Sequence, residues 1–230
     1  MIRRNLEEVQ KKMETALERA GRPAGDAALI AVSKTKPVSM LEEAYKCGLR
    51  DFGENKVQEL TEKYEQLPGD IRWHMIGHLQ RNKVKYLIGK TFLIHSVDSL
   101  RLAEEISREA QKKSVDVDIL IEVNVAEEDS KFGVTCADAP ALVEAVSKLP
   151  YVHIKGLMTI APYTEDAEEN RKYFRRLKEL SVDIAGKKHD NVSMDILSMG
   201  MTGDYEVAIS EGATYTRVGT GIFGERNYGV

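Results

Sequence analysis

The stretch LIAVSK, residues 29–34, is a short apolar run that ends in polar residues, and it sets the pattern for the whole chain. Similar runs recur along the sequence, at residues 50–55, 72–77, 92–98, 117–124, 153–161, 194–200 and 215–223. Several of them are almost continuous in apolar residues, which is typical of parallel strands covered by helices on both faces. The pattern therefore predicts a parallel sheet of eight strands.

The segments between these runs have the periodicity of helices. They cover residues 39–47, 56–66, 79–88, 99–112, 137–148, 166–183 and 204–211, and an amphipathic helix precedes the first strand at 3–19. Strands that alternate with helices in this number are typical of a (β/α)8 or TIM-type barrel, and an open, doubly wound sheet is the competing arrangement. We predict a single α/β domain over residues 1–230, a (β/α)8 barrel with an extra N-terminal helix.

The composition is that of an ordinary soluble globular protein, with 42% hydrophobic and 30% charged residues in a chain of 230. A net charge of −4 gives no electrostatic reason to expect a nucleic acid or an anionic membrane as partner. No apolar run approaches the length of a membrane span, and no signal peptide is recognisable. Cys47 and Cys136 do not form a C-x-x-C pair, so we expect free thiols and a cytoplasmic protein.

The polar residues that follow the strands predict where the site lies, because active sites of such barrels lie at the C-terminal ends of the strands. The last two strands end in glycines and hydroxyl residues, namely Ser198, Gly200, Thr202, Gly203, Gly219, Thr220 and Gly221. Backbone N–H groups and hydroxyls at these two strand ends suit a dianionic phosphate. The alternative is that the glycines only form tight turns.

Lys34 follows the apolar part of the first strand, and alternation places its side chain at the inner lip of the barrel. A partly buried lysine has a lowered pKa, and its neutral amine can form an imine with an aldehyde. The alternative is an ordinary solvated lysine. Lys36 has the same parity and is the main rival for the imine. A phosphate site opposite an imine-forming lysine would describe a site for pyridoxal 5′-phosphate (PLP).

Arg217, in the eighth run, is the third candidate. Pointing inward, it would be a permanent cation beside the cofactor ring. It would keep the pyridine nitrogen unprotonated, because two adjacent positive charges are disfavoured, and the ring would then be a weaker electron sink. The alternative is a salt bridge with Glu225 or another carboxylate at the barrel mouth.

Two histidines and one further lysine lie near the predicted strand ends. His74 and His78 are four residues apart but lie on either side of a strand end, with no suitable third ligand nearby, so we predict no metal site. We expect His78 to contact a ligand and His74 to pack in the core. The loop at 129–133 is expected to be mobile, with Lys131 facing the site.

Seven motifs resemble those of one family, the pyridoxal-phosphate homeostasis proteins, which are small single-domain relatives of the alanine racemase N-terminal barrel. The motifs are AVSKTKP (31–37), FGENKVQE (52–59), WHMIGHLQRNK (73–83), KFGV (131–134), GLMTIAP (156–162), LSMGMTGDYEVAI (197–209) and RVGTGIFGER (217–226). They follow the family's order over almost the whole chain, and WHMIGHLQRNK is its own signature.

The resemblance implies a PLP-binding barrel with the cofactor as a Schiff base on Lys34. It implies that Asn55 lies near the ring and Arg217 near the pyridine nitrogen. It implies that the phosphate is held by Ser198, Gly200, Met201, Gly219 and Thr220. Family members are usually monomers that buffer or deliver PLP and keep vitamin B6 and amino-acid pools in balance.

The chain departs from the family's pattern in two places. After SMGM the family commonly has a serine and an acidic residue, whereas here Thr202 and Gly203 precede Asp204. Thr202 keeps a hydroxyl that can bind the phosphate. Gly203 is a second glycine in this loop, so the resemblance does not predict how stiff the loop is. Gly221 stands where an alanine is common.

Three functions remain open at this point. A PLP carrier or regulator without robust turnover, which delivers PLP to apo forms of PLP-dependent enzymes, is favoured. The alternative is an amino-acid racemase of the alanine-racemase type, which needs a base on each face of the substrate α-carbon. Lys34 supplies one, and we expect no second domain to bring the tyrosine that full racemases use. A phosphate-ligand isomerase with Glu54 or Glu122 as base is the weakest option.

Overall fold

Eight parallel strands close into a barrel in which each strand pairs with its neighbours in chain order. The computed structural model describes residues 1–128 and 131–225. The strands are β1 (Ala28–Val32), β2 (Asp51–Glu54), β3 (Arg72–Met75), β4 (Leu93–Val97), β5 (Val117–Glu122), β6 (Val152–Met158), β7 (Val192–Met201) and β8 (Tyr215–Val218). The pairing of Ile30 in β1 with Arg217 in β8 closes the barrel, so the predicted (β/α)8 barrel is confirmed and the open sheet is excluded.

Helices cover the outside of this barrel. They are α1 (Ile2–Arg19), α2 (Val38–Lys46), α3 (Val57–Gln66), α4 (Leu100–Lys113), α5 (Ala139–Val146), α6 (Arg171–Gly186), α7 (Tyr205–Ser210) and α8 (Thr220–Phe223). The predicted N-terminal helix is confirmed as α1, which packs against α2, α7 and α8. It buries an apolar stripe that includes Leu6, Val9 and Met13, and Asn5 Nδ2 donates to the Ile222 carbonyl at 3.0 Å.

Two predicted elements differ from the structure. The segment predicted as a helix at 79–88 contains a 3₁₀ helix, Arg81–Tyr86, in which only Val84 is buried. Because it has no apolar stripe to pack on the barrel, it lacks the contacts that stabilise most α-helices. The eighth run does not continue as a strand to 223, because β8 ends at Val218 and α8 begins at Thr220, burying Ile222 and Phe223.

The inside of the barrel is partly apolar and partly polar. Leu93, Leu120 and Met158 form its apolar cluster. The other buried side chains that concern the site are polar: His74, His95, Ser198 and Arg217 are each at most 3% exposed. A buried polar group is costly unless it is hydrogen-bonded, so these four require partners within the barrel.

The remaining predictions about the chain as a whole concern membranes and cysteines. In residues 1–128 and 131–225, no helix combines the length and the apolar character needed to span a bilayer. Cys47 and Cys136 are both half-buried free thiols, as predicted.

Candidate functional site

A cavity of about 560 Å³, here called the mouth cavity, lies at the C-terminal ends of β1, β7 and β8. Its lining includes six of the predicted site residues, namely Lys34, Lys36, Met201, Arg217, Gly219 and Thr220. The other lining residues are Val32, Tyr163, Thr202, Gly203 and Gly224. This volume is in the range of small-molecule sites. Three strand ends that are distant in sequence therefore converge on one cavity.

Lys34 lies between two residues that are fixed to the neighbouring strand and helix. Before it, the Ser33 carbonyl accepts from Lys63 Nζ at 2.8 Å, and Ser33 Oγ donates to Glu54 Oε1 at 2.6 Å. After it, the Thr35 N–H donates to both carboxylate oxygens of Glu59 at 3.1 Å. Thr35 has a φ of 65°, a conformation uncommon for a β-branched residue.

We call Glu54, Glu59 and Lys63 the carboxyl clamp. Lys63 Nζ donates to Glu54 Oε1 at 2.7 Å and lies 3.8 Å from Glu59 Oε2. Burial and the hydrogen bond with Glu59 together raise the pKa of Glu54 to about 7, although Lys63 and Ser33 act in the opposite direction. Burial also opposes ionisation of Glu59, but hydrogen bonds from Glu54 and the Thr35 N–H lower its pKa.

A hydrogen bond between the two carboxyl groups requires a proton on one of them, and the raised pKa of Glu54 indicates that Glu54 carries it below about pH 7. Glu54 Oε2 is fully buried. While Glu54 is an ionised carboxylate, this atom can only accept hydrogen bonds, and no donor for it is found among the described residues. When Glu54 is protonated, its carboxyl group has a hydrogen to donate, for which Glu59 is the neighbouring acceptor. The carboxyl clamp then consists of a neutral acid, Glu54, a carboxylate, Glu59, and an ammonium group, Lys63. Glu59 and Lys63 bind the backbone of the residues on either side of Lys34.

Arg217 lies on the floor of the mouth cavity and is 3% exposed. Its Nη1 donates to Ser198 Oγ at 2.5 Å, and its Nη2 donates to the Thr159 carbonyl at 2.8 Å. Burial lowers its pKa to about 10, with Glu122 and Asp204 acting in the opposite direction, so the guanidinium stays charged at neutral pH. The inward orientation expected from the sequence is the one found, and these two bonds are made within the barrel.

Ser198 and Gly200 lie on β7, but their surroundings are inside the fold. The Ser198 hydroxyl is fully buried and contacts Arg217 and His95 Nδ1, the latter at 2.9 Å. Gly200 has a φ of 88°, and a Cβ there would lie 2.6 Å from the Ala208 Cβ. Glycine is therefore needed at this position for the close packing of β7 on α7.

The loop after β7 is held by an aspartate. Asp204 Oδ1 accepts from the Met201 N–H at 2.7 Å, and its Oδ2 accepts from Asn170 Nδ2 at 2.8 Å. The Met201 N–H is thus already used by the protein. The Thr202 hydroxyl, in contrast, lines the cavity and lies 3.2 Å from Thr220 Oγ1, so hydroxyls from the β7 and β8 loops meet there.

Asn55 and Lys36 differ in how their polar groups are used. Asn55 Oδ1, at the end of β2, is buried and has no hydrogen-bond partner in the described part of the chain. Lys36 Nζ donates to the carbonyls of Phe223, Gly224 and Glu225, at 3.3, 3.0 and 3.0 Å. An ammonium group has three hydrogens, so Lys36 is committed to holding the segment after β8.

His78 and Lys131 are not among the residues that line the mouth cavity. His78 is exposed, stacks on Phe132 with ring centroids 3.9 Å apart, and lies 3.8 Å from Asp98 Oδ2. Lys131 pairs with Glu128. Asp129 and Ser130, in the loop predicted to be mobile, lie outside the described residues.

The structure also contains site residues that the sequence reasoning missed. His95 and Asp51 were not singled out, and His74 was expected only to be packed; it is indeed fully buried. His74 Nε2 lies 3.0 Å from Asp51 Oδ1, and His74 Nδ1 lies 2.9 Å from His95 Nε2. The sequence does contain a signal for His95. It lies in the apolar strand LIHSV (93–97), and because side chains alternate along a strand, it points to the same side as Leu93, into the barrel.

Comparison with known proteins gives consistent results. A family model described as the N-terminal domain of alanine racemase matches residues 4–227. The pyridoxal phosphate homeostasis protein of Aquifex aeolicus (strain VF5) is 50% identical over 224 residues, which are 97% of either chain. The solved structure of PipY from Synechococcus elongatus PCC7942, with PLP bound, is 35% identical, with a TM-score of 0.84 over 97% of this chain and 100% of PipY.

A more distant structure shares the fold alone. An alanine racemase from Clostridium difficile 630 has a TM-score of 0.76 but only 15% identity. The match covers 98% of this chain and 57% of the racemase.

Proposed function

This chain belongs to the family of pyridoxal phosphate homeostasis proteins, and from this we propose that it binds PLP in the mouth cavity as a Schiff base on Lys34. Its role is intracellular vitamin B6 homeostasis, in which it buffers PLP or delivers it to apo forms of PLP-dependent enzymes. One observation carries the proposal: Lys34, Arg217, Gly219 and Thr220 line the same cavity.

The residues of the cavity fit the groups of PLP. When bound, PLP supplies an aldehyde for an amine, a dianionic phosphate, and a pyridine ring with polar substituents. Lys34 offers the amine. Asn55 does not line the mouth cavity, but its buried Oδ1 has no hydrogen-bond partner among the described residues, and we propose that it contacts the bound cofactor. A Cβ at Gly219 would lie 3.3 Å from the Val32 side chain, so glycine keeps the backbone of the β8 loop close to β1.

We assign the phosphate to the loops after β7 and β8. Gly203, Gly219, Thr202 and Thr220 line the cavity there. The N–H groups of Thr220 and its successor begin α8 and therefore have no acceptor within that helix. Gly200 and Met201 act by shaping the loop, and Ser198 acts by holding Arg217, which refines the direct phosphate role that the family resemblance implies for them.

Arg217 is compatible with a holding function, although an arginine at the ring nitrogen does not by itself exclude racemisation. Its charge is fixed by two buried hydrogen bonds, so a second positive charge on a nearby ring nitrogen is disfavoured. An unprotonated ring withdraws electrons less strongly from a bound substrate. The site is thus suited to retaining PLP, and we propose no catalytic residue for it.

The alternative function is an amino-acid racemase. It requires an acid–base group on the face of the substrate opposite Lys34. Tyr163 is the tyrosine that lines the mouth cavity, but its side chain is 95% exposed. A proton donor that is not held in place contributes little to catalysis. We therefore favour the carrier.

The central experiment maps the Schiff base. The purified protein, incubated with PLP, is expected to show the absorbance of an imine, and borohydride followed by peptide mapping should place the label on Lys34. Lys34→Ala should abolish the labelling, and Lys36→Ala, the matched control, should retain it. A discrete label that persists in Lys34→Ala and vanishes in Lys36→Ala would move the site to Lys36.

A second experiment separates carrier from racemase. Transfer of PLP to an apo-enzyme faster than free dissociation would support delivery. Racemisation of an amino acid at about one turnover per second or more, a typical enzyme rate, would overturn the carrier function.

We also propose that the chain acts as a single-domain monomer in the cytoplasm. Its half-buried free thiols Cys47 and Cys136 suit a reducing compartment. Sedimentation of the PLP-loaded protein should give the mass of one chain, 25.8 kDa.

A further inference from the structure

Five side chains, here called the barrel relay, form a hydrogen-bonded line through the barrel. Arg217 Nη1 lies 2.5 Å from Ser198 Oγ, and Ser198 Oγ lies 2.9 Å from His95 Nδ1. His95 Nε2 lies 2.9 Å from His74 Nδ1, and His74 Nε2 lies 3.0 Å from Asp51 Oδ1. Asp51 is the first residue of β2, so the line ends at the opposite end of the barrel from the mouth cavity.

The far end of the relay is a carboxylate. Arg72 donates to Asp51 through Nε at 2.7 Å and through Nη2 at 2.5 Å. Burial opposes ionisation of Asp51, but the hydrogen bonds from Arg72 and His74 lower its pKa. An ionised carboxylate only accepts hydrogen bonds. The nitrogen of His74 that faces Asp51 must therefore carry a hydrogen.

This end fixes the direction of every other bond. Burial lowers the pKa of His74. Burial also lowers the pKa of His95, and the Arg217 guanidinium lowers it further, so both rings are neutral at pH 7. A neutral imidazole has one donor and one acceptor nitrogen. His74 donates from Nε2 and accepts at Nδ1, so His95 also donates from Nε2 and accepts at Nδ1.

The Ser198 hydroxyl then has a single possible orientation. Its hydrogen is donated to His95 Nδ1, which leaves its oxygen lone pairs facing the Arg217 guanidinium. With the opposite tautomers, His95 would donate to Ser198, and the serine hydrogen would have to compete with the N–H donors of Arg217. Successive donors aligned in one direction also polarise one another and strengthen the bond at the end of the line.

We propose that the barrel relay positions Arg217 for the cofactor ring, so that His95, His74 and Asp51 are positioning residues of the PLP site. The inference rests on the proposed function, because it takes Arg217 to face the ring nitrogen. It assigns a role to residues that reach the opposite end of the barrel and do not line the mouth cavity.

The direction of the relay is tested without cofactor. Histidine ¹⁵N chemical shifts of the wild-type protein, with His74 and His95 assigned by single substitutions, should show both rings neutral and protonated on Nε2 from pH 7 to pH 8. Protonation of either ring on Nδ1 would overturn the proposed direction. This measurement stands even if the protein binds no PLP, so it separates failure of the relay from failure of the proposed function.

The positioning role is tested with two variants at one position. In His95→Gln the amide can accept from Ser198 and donate to His74, so PLP affinity should stay within about twofold of wild type. His95→Leu breaks the line and should weaken PLP binding about tenfold, as expected for loss of a hydrogen bond that supports a charged group. His153→Leu, on the surface beside Asp116, is the control and should leave affinity unchanged.

Two outcomes oppose the positioning role. Wild-type affinity in His95→Leu would overturn it, as would an equal loss in the Gln and Leu variants. If His95→Leu does not fold, Ser198→Ala tests the same link, and it should weaken binding to a similar extent. Wild-type affinity in Ser198→Ala would then overturn the proposal.

Discussion

Replacement of Glu54 by glutamine should stabilise the protein above neutral pH. A glutamine has nearly the shape of a protonated glutamate. Its carbonyl oxygen can accept from Ser33 Oγ and Lys63 Nζ, as Glu54 Oε1 does, and its amide can donate to Glu59. The variant therefore keeps the hydrogen bonds of protonated Glu54 but cannot lose the proton.

The size of the effect follows from the pKa of Glu54. The pKa is raised from 4.5 to about 7 in the folded protein, chiefly by burial. Between these values the folded state binds more protons than the unfolded state, so stability falls as pH rises through this window. A difference of about 2.5 units corresponds to about 3 kcal/mol, present below pH 4.5 and lost above pH 7.

Urea unfolding measures this directly, because the chain has a single tryptophan, Trp73, which is buried. Wild type and Glu54→Gln should have similar stability near pH 5, and the variant should be more stable by up to about 3 kcal/mol at pH 8. Glu62→Gln removes a carboxylate from the exposed side of α3, the helix that carries Glu59 and Lys63, and should show no such pH-dependent gain. A Glu54→Gln variant that is less stable than wild type at pH 8 would refute the assignment of this proton to Glu54.

Three further predictions concern the end of β7 and the loop after it. Gly200→Ala should destabilise the protein by about 2 kcal/mol or more in urea unfolding, because it combines a positive φ with a 2.6 Å contact to Ala208; an unchanged midpoint would contradict this. Asn170→Ala should cost about 1–2 kcal/mol by removing a donor from the buried Asp204, measured in the same way. Thr202→Val should weaken PLP binding about tenfold in equilibrium titration, whereas Thr202→Ser should keep wild-type affinity; equal affinities would remove the hydroxyl from the phosphate site.

The barrel and its mouth could be predicted from the sequence because both depend on local pattern. The apolar run before Lys34 identifies a strand, and the rule that barrel sites lie at the C-terminal strand ends places Lys34, Gly219 and Thr220 in one region before any coordinates are known. The mouth cavity brings these residues together. Of the two possibilities that the sequence left open for Arg217, the inward orientation is the one found.

The interior connections could not be predicted in this way. His95 and Ser198 are 103 residues apart, and His74 and His95 are 21 apart. The register of β7 against β8 also shifts between Ser198 and Met201, which a sequence pattern does not reveal. Alternation says which side chains point inward but not at what height in the barrel they meet. Lys36 is another case: its parity matches that of Lys34, yet carbonyls that follow β8 bind its ammonium group.

The two ends of the mouth cavity should respond differently to pH. At the Arg217 end, the charges of Arg217 and Asp51 do not change around neutral pH, because the pKa of Arg217 is about 10 and that of Asp51 is lowered. Behind Lys34, the proton of Glu54 is lost near pH 7, which places two adjacent carboxylates beside the backbone that carries the lysine. Burial also raises the pKa of Glu122 to about 7, but that residue is present in every protein compared and cancels in a ratio.

The ratio of PLP dissociation constants between wild type and Glu54→Gln should therefore change between pH 6 and pH 8. The ratio between wild type and His95→Gln should stay constant between pH 7 and pH 8, because both relay histidines are neutral there. Both ratios come from the same equilibrium titrations. A constant ratio for Glu54→Gln would mean that Lys34 does not respond to the proton of the carboxyl clamp, although Ser33 and Thr35 bind that clamp on either side of it.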